Sequence, residues 1–242
     1  RIVWVAHAAI IEPCRESRIA PVIVPKVPYP VTPRLRYGRL NREGEALMTI
    51  AIGPFSLERV VKAVEKVRQR LLRAAGALRA ANVPYSVAGG NAVALWVSRV
   101  DEAAVRNTQD VDMLLRREDL DAAAAALESA GFVHRHVAGL DVFLDGPAAK
   151  PREAVHIVFA NEKVRPHEPL ANPDVSESED AGLFRVIALD ALVRIKLTAF
   201  RDKDRTHLRD LIDIGLVDAQ WLAKLPPVLA DRLRQLLENP EG

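Results

Sequence analysis

The stretch Val87-Ala88-Gly89-Gly90-Asn91-Ala92 decides the fold that we predict for this chain. The residues from Pro84 to Ala88 predict a short strand, and those from Asn91 to Ser98 predict a helix. Glycines between a strand and a helix let the backbone approach a ligand closely, and the free amides at a helix start bind anions. A triphosphate suits that position, although a turn of this kind is more often only a tight connection.

A second motif follows in the stretch Arg106-Asn107-Thr108-Gln109-Asp110-Val111-Asp112-Met113. Residues two apart on a strand share a face, so Asp110 and Asp112 project together, and Val111 faces the other side. Two carboxylates on one face are unfavourable unless a cation neutralises them, and Mg²⁺ prefers carboxylate and phosphate oxygens. The alternative is a strand entry with two solvated acids, yet Asp is uncommon in strands.

Helical periodicity and short apolar runs predict further helices and strands on both sides of these motifs. Ser56 and Asp204 are candidate helix caps, and Gly131 suits a helix end. The order of elements predicts an α+β fold whose C-terminal part is a helical subdomain. The further predicted helices are 56–80, 117–130, 189–200, 204–216 and 218–237, the further strands are 111–115, 132–137, 140–144 and 154–160, and 161–182 is predicted as loop.

The composition excludes several classes of protein. Of the 242 residues, 49% are hydrophobic, which is too many for a chain that is disordered throughout. The single cysteine, Cys14, rules out an intramolecular disulfide and a cysteine-rich metal site. No apolar run approaches the ~20 residues of a membrane helix. We therefore predict a cytoplasmic protein that does not insert into a membrane.

Residues 1–47 differ from the rest of the chain. They contain eight basic and four acidic residues, and six of the 16 prolines. Because proline lacks an amide donor, we predict an irregular, basic tail before an α/β core at 56–165 and a helical subdomain at 183–240. The tail could be an extension upstream of Met48 as the natural start, or it could contact nucleic acid.

Together, the two motifs resemble the signature of the nucleotidyltransferase superfamily related to DNA polymerase beta. That signature is a hydrophobic residue and Gly-Gly, matched by Ala88-Gly89-Gly90, and then alternating acids, matched by Asp110-Val111-Asp112-Met113. The added Arg106-x-Thr108 is similar to a branch that contains abortive-infection (AbiEii-type) toxins. So is a later stretch, residues 195–204 followed by Leu208-Arg209-Asp210-Leu211. The resemblance covers about residues 56–240.

The resemblance implies a mixed sheet with flanking helices and the transfer of a nucleoside monophosphate from an NTP to an RNA or protein acceptor. Asp110 and Asp112 are then the catalytic residues and the ligands of Mg²⁺ or Mn²⁺. The implied nucleotide-binding residues are Gly89, Gly90, Asn91, Thr108 and Lys196. Lys196 could equally be a lysine that extends along an amphipathic helix. The branch also implies a toxin–antitoxin role and a cognate antitoxin protein as a partner.

The chain departs from the family at the position of a third carboxylate. The matching strand, Ala154-Val155-His156-Ile157-Val158-Phe159, places His156 there. An imidazole suits Zn²⁺ or Mn²⁺ better than Mg²⁺, and it could instead act as a base or be buried without a role. Asp141 is a possible substitute acid. His134 and His136 are interpreted as a solvated strand face.

Three hypotheses follow from the sequence. The first is a metal-dependent nucleotidyltransferase. The second is a catalytically degenerate relative that binds a nucleotide or a partner protein, because His156 replaces an acid. The third is a nucleic-acid-binding module that uses the basic tail, and it predicts binding that is sensitive to salt.

Overall fold

A seven-stranded mixed sheet forms the centre of the computed structural model, which describes residues 56–137, 139–150 and 153–240. The strand order is β3-β4-β5-β2-β1-β7-β6. Strand β2 runs antiparallel to β1 and parallel to β5, and β1 runs parallel to β7. The strands are β1 Ser86–Ala88, β2 Val111–Leu115, β3 Val133–Val137, β4 Leu140–Leu144, β5 Ala154–Phe159, β6 Ser178–Asp180 and β7 Arg185–Ile187.

Six α-helices flank this sheet. They are α1 Leu57–Ala80, α2 Gly89–Ser98, α3 Leu120–Ser129, α4 Leu189–Ala199, α5 Asp202–Asp213 and α6 Pro227–Glu238. All the described residues belong to one unit of the chain, residues 55–242. Within the described residues, no helix is both long and apolar enough to cross a membrane.

One face of the sheet packs against α1 and α3. Its buried residues alternate along the strands, as in Val111 and Met113 on β2 and Val155 and Ile157 on β5. Leu78 of α1 covers them and is fully buried. This alternation confirms that Val111 and Met113 face one side of β2, whereas Asp112 lies on the other side.

The other face packs against the C-terminal helices and α2. Trp96 of α2 is buried there, and its indole Nε1 donates a hydrogen bond to the carbonyl of Ile187, 3.1 Å away. Leu192 and Leu197 of α4 and Leu208 of α5 complete this apolar layer. Helix α2 and the C-terminal helices therefore meet on the side of the sheet that carries Asp112.

The α+β class predicted from the sequence is confirmed, as are strands β2 and β4 at their predicted bounds. The prediction of a loop over 161–182 is wrong at its end, because β6 lies inside that range. Strand β7 was not predicted. Each of these two strands has only three residues, and β6 is Ser-Glu-Asp, so neither shows an apolar alternation. The predicted tail, 1–47, lies outside the described residues.

Several helix starts also differ from their predictions. Helix α2 begins at Gly89, two residues earlier than predicted, so the two glycines form its first turn. Helix α3 begins at Leu120 after a 3₁₀ turn at Arg117–Asp119. Helix α5 begins at Asp202, and Asp204 lies in its first turn. Ser56 stands at the start of α1, but its side chain makes no capping hydrogen bond.

Candidate active site

Gly89 and Asp112 lie against each other at the end of β1. Ala88 of β1 is the register partner of Asp112 on β2, so Gly89 follows directly beside that side chain. A β-carbon added to Gly89 would lie 1.8 Å from Oδ2 of Asp112, and Gly89 has a φ of +64°. Only glycine has no β-carbon and also adopts a positive φ without strain. The close approach of the Asp112 carboxylate therefore requires a glycine at position 89.

The rest of the glycine turn contacts the loop before β2. A β-carbon on Gly90 would lie 2.8 Å from Oγ1 of Thr108, so Thr108 packs on the second glycine. The side-chain amide of Asn91 donates a hydrogen bond to the carbonyl of Asp110, 2.7 Å away. The turn is thus fixed to the acidic segment by three successive residues, although the two motifs are separate in sequence.

Asp110 itself precedes β2 and is the more exposed acid of the pair. Its side chain is 36% exposed and that of Asp112 is 21% exposed. Oδ2 of Asp110 lies 3.9 Å from Nζ of Lys203 on α5. Because Lys203 also helps to lower the pKa of Asp112, one cation serves both acids.

A buried ion pair stands behind the acids, at the turn between α4 and α5. Nζ of Lys196, which is 3% exposed, lies 3.0 Å from Oδ1 of Asp204, and Nε of Arg201 lies 2.7 Å from Oδ2. Burial lowers the pKa of Lys196, and Asp204 opposes that change. Lys196 is therefore held in place by Asp204 and acts on Asp112 through its charge.

The loop before the acids is joined to α5 by a second ion pair. Nε of Arg106 lies 2.8 Å from Oδ1 of Asp210, which is buried. These two residues belong to the two stretches that were noted as similar to the toxin branch. The ion pair therefore brings together two stretches that lie far apart in sequence.

His156 occupies the position beside Asp112 on the next strand. It is the register partner of Asp112 between the parallel strands β2 and β5. Nδ1 of His156 lies 3.7 Å from Oδ1 of Asp112. The predicted replacement of an acid by a histidine therefore falls next to the acids, within the candidate site.

Three neighbours keep Asp112 ionised. Burial raises the pKa of the Asp112 carboxyl, but the His156 ring beside it lowers that pKa. The charges of Lys196 and Lys203 lower it further, and the net pKa lies below its ordinary value. The carboxylate form is therefore the one that a cation would meet at neutral pH.

Asp141 lies on the opposite face of the sheet from Asp112. Val142 is the partner of His156, so Asp141 points to the side of α1 and α3. Oδ1 of Asp141 lies 2.9 Å from Nε2 of His134 and 3.1 Å from Nδ1 of His136. The structure does not bring this predicted substitute acid to the site, and its two histidines form a separate cluster with it.

The acids fit a magnesium ion that takes its remaining ligands from a nucleotide. Mg²⁺ is often bound by one or two carboxylates plus substrate phosphates, which Asp110 and Asp112 can provide. Within the described part of the chain, no group of three or more His, Cys, Asp or Glu residues could hold a metal by itself. The donor set therefore favours a metal that arrives with a triphosphate over a permanent structural metal.

His207 on α5 lies behind the ion pair and is expected to make stability depend on pH. Its Nδ1 is buried without a hydrogen-bond partner among the described residues, and burial together with Lys196 lowers its pKa from 6.5 to about 4. The unfolded chain then binds the proton more readily, so stability is full above the unfolded pKa and falls as pH drops below it.

We expect the free energy of unfolding to fall by about 1–2 kcal/mol more in the wild type than in His207→Gln between pH ~7 and pH ~5. Urea unfolding at the two pH values measures this difference. Equal pH dependence in the two proteins would show that the ring is not kept neutral by its surroundings.

Comparison with known proteins adds structural neighbours only. No model of a known protein family matches the chain, and a search of curated proteins finds no match. Among solved structures, the chain is similar to the antibiotic-resistance factor ANT(2'')-Ia in solution, with 15% identity, 74% of this chain and 92% of that chain covered, and a TM-score of 0.45.

Two crystal structures are similar at the same level. ANT(2'')-Ia in complex with adenylyl-2''-tobramycin has 16% identity, covers 74% of this chain and 97% of its own, and has a TM-score of 0.44. An antigenic nucleotidyltransferase-like protein from Paracoccidioides brasiliensis has 16% identity, covers 73% and 90%, and has a TM-score of 0.47. The functional proposal rests on the residues of the site and not on these neighbours.

Sequence reasoning missed three charged residues of the site. They are Arg201, Lys203 and Asp204, of which the sequence suggested a local role only for Asp204, as a helix cap. In the structure, Arg201 directly precedes α5, and its backbone amide donates a hydrogen bond to the side chain of Asp204. The two residues therefore cap the helix together. Spacing alone could not indicate that Lys203 lies close to Asp110.

Proposed function

We propose that the protein transfers a nucleoside monophosphate from an NTP to an acceptor hydroxyl. The observation that carries this proposal is the approach of Asp112 to Gly89, with Asn91 bonded to the backbone of Asp110. An anion-binding helix start and a pair of metal-binding acids then share one location. This activity is the one that the resemblance to the nucleotidyltransferase superfamily implies. Membership of the AbiEii-type branch stays a prediction.

The first turn of α2 binds the triphosphate in this proposal. A helix start presents backbone amides without partners, and its dipole favours negative charge. Gly89 and Gly90 leave room for Asp112 and Thr108 to pack directly on that turn. The phosphates and the carboxylates are therefore brought to adjacent positions before any substrate-induced change.

Asp110 and Asp112 hold the metal that accompanies the nucleotide. A bound Mg²⁺ or Mn²⁺ would polarise phosphoryl oxygens and neutralise charge as it develops. The acceptor hydroxyl forms a bond to the α-phosphorus, the bond to the β-phosphate breaks, and pyrophosphate leaves. His156 is placed beside Asp112, where it can accept the proton of the hydroxyl.

The cations of the α4–α5 turn orient the phosphates. Lys203 is half exposed and stands next to Asp110, so its ammonium can contact a phosphate or the leaving group. Lys196 is buried on Asp204 and supports the site by its charge and by fixing this turn. The sequence predicted that Lys196 binds the nucleotide directly. We propose instead that it supports nucleotide binding without contacting the nucleotide.

The proposal is tested by label transfer from each α-labelled NTP, with Mg²⁺ or Mn²⁺, onto RNA oligonucleotides and onto proteins. We expect one NTP to label one class of acceptor and to release pyrophosphate. Absence of both label and pyrophosphate with every NTP, metal and acceptor would contradict the proposal.

A second candidate function is favoured by His156. A histidine beside Asp112 supplies no negative charge for a second metal ion, so a protein that binds an NTP without transferring it is also consistent with the site. Nucleotide binding without any label transfer would favour this candidate over the first.

We expect His156→Asp to bind Mn²⁺ about tenfold more tightly in the presence of a non-hydrolysable NTP, which is about 1.4 kcal/mol. The added carboxylate lies in register with Asp112 and is a better ligand for a hard cation than an imidazole. Calorimetry measures the affinity, and His156→Asn is the matched control that adds no charge. If both variants bind Mn²⁺ equally, the position does not face the metal.

The biological setting stays a prediction. A cognate antitoxin, a toxin role and a cytoplasmic location all derive from the resemblance or the composition. Co-purification of the full chain with the product of a neighbouring gene tests the antitoxin directly.

A further inference from the structure

A basic groove runs along α1 and reaches Gln109, the residue before Asp110. It encloses about 530 Å³. Its wall contains four basic residues of α1 and one acidic residue from another segment. The lining residues are Arg59, Lys62, Ala63, Lys66, Val67, Arg70, Gln109 and Glu153.

The basic residues follow one face of the helix. Lys62, Lys66 and Arg70 are spaced by four residues, so their side chains lie in a row. Lys62 and Lys66 are one helical turn apart, about 6 Å along the axis at about 1.5 Å per residue. The two ammonium groups can therefore contact neighbouring phosphates of a nucleic-acid strand.

Two of these cations are available to a ligand. Lys62 and Lys66 are exposed, and neither forms an ion pair among the residues that the structure describes. Oε2 of Glu153, the acid of the groove, accepts a hydrogen bond from the backbone amide of Lys150. Among the described residues, the groove therefore presents two lysines without an ion pair and one carboxylate, that of Glu153.

Arg70 connects the groove to the acids. Its guanidinium is 4% exposed, and Nε lies 3.1 Å from Oδ2 of Asp145. Nη1 of the same residue donates a hydrogen bond to the carbonyl of Gln109, 3.3 Å away. Gln109 is one of the residues that line the groove, and it directly precedes Asp110 in the chain.

We propose that this groove binds the sugar-phosphate backbone of a nucleic-acid strand and leads its end to Asp110 as the acceptor. A positively charged groove that follows a backbone is the usual feature of single-strand binding without sequence preference. The statement that the strand is the acceptor rests on the proposed function, whereas the binding of the strand does not.

The test measures binding of fluorescent single-stranded RNA and DNA oligonucleotides to the full chain, without NTP, over a range of salt. We expect Lys62→Glu/Lys66→Glu to weaken binding at least tenfold. The slope of log affinity against log salt should fall by about 0.7 for each lost phosphate contact. Nucleotide binding should stay unchanged, because neither lysine lies at the glycine turn.

Lys163→Glu/Lys224→Glu is the matched control, since it changes the net charge equally at two exposed lysines outside the groove. Equal weakening in both double variants would overturn the proposal, because it would show attraction by net charge or by another surface. Label transfer to a protein with no oligonucleotide binding would also overturn it. Oligonucleotide binding lost only in the groove variant, without label transfer to any acceptor, would support the groove and reject the transferase. Comparison of the affinities for the RNA and the DNA oligonucleotides shows which nucleic acid the groove prefers.

Discussion

Asp112→Asn is expected to lower label transfer by about three orders of magnitude. Asparagine keeps the size of the side chain but removes the charge that we propose holds the metal. Loss of about 4 kcal/mol of transition-state stabilisation corresponds to that factor. The loss should fall on kcat, since the glycine turn that we propose binds the triphosphate remains.

Asp110→Asn should have an effect of similar size. Its side chain faces the same Lys203 that acts on Asp112, so both carboxylates contribute to one charge balance. Initial rates of transfer at saturating NTP measure both variants. Thermal unfolding shows whether each variant still folds.

Asp141→Asn is the matched control for these two variants. It makes the same chemical change on the opposite face of the sheet, where Asp141 bonds to His134 and His136. We expect its transfer rate to stay within about twofold of the wild type, even if its stability falls. Wild-type rates in both Asp110→Asn and Asp112→Asn would contradict the proposed site.

Gly89→Ala is expected to abolish transfer by displacing Asp112. The added β-carbon would stand 1.8 Å from Oδ2 of that residue, so the carboxylate or the turn has to move. Alanine at a φ of +64° also costs about 1–2 kcal/mol of backbone strain. We expect a loss of activity comparable to that of Asp112→Asn and a loss of stability larger than the strain alone.

Gly131→Ala separates strain from steric displacement. Gly131 also has a positive φ, at +87°, but a β-carbon there would meet no atom within 4 Å. Its variant should lose about 1–2 kcal/mol of stability and keep its transfer rate. Comparable activities in Gly89→Ala and Gly131→Ala would show that the contact between Gly89 and Asp112 does not matter for transfer.

The sequence predicted the parts of the site that depend on local pattern. Strand β2 alternates apolar residues with Asp112, and the glycine turn follows directly from a short strand, so both could be placed without any tertiary information. The parts that depend on distant pairing could not be placed. Examples are the contact of Lys203 with Asp110 and the ion pair of Arg106 with Asp210.

Some differences arose because short elements carry little pattern. Strands β6 and β7 have three residues each, and neither has an alternation of its own. Strand β7 pairs with β1, and β6 pairs with β7 at the edge of the sheet. For Asp141, the sequence could not indicate which face of β4 it occupies, since that depends on the register with β5.

The parallel pairing of β1 with β7 determines when the site can form during synthesis. Strand β1 carries the glycine turn early in the chain, but its neighbour β7 and the lysines of α4 and α5 come about a hundred residues later. A nascent chain therefore exposes both acids long before their cations leave the ribosome. On the proposed function, nucleotide binding therefore has to wait until β7, α4 and α5 have been synthesised and have packed on the sheet.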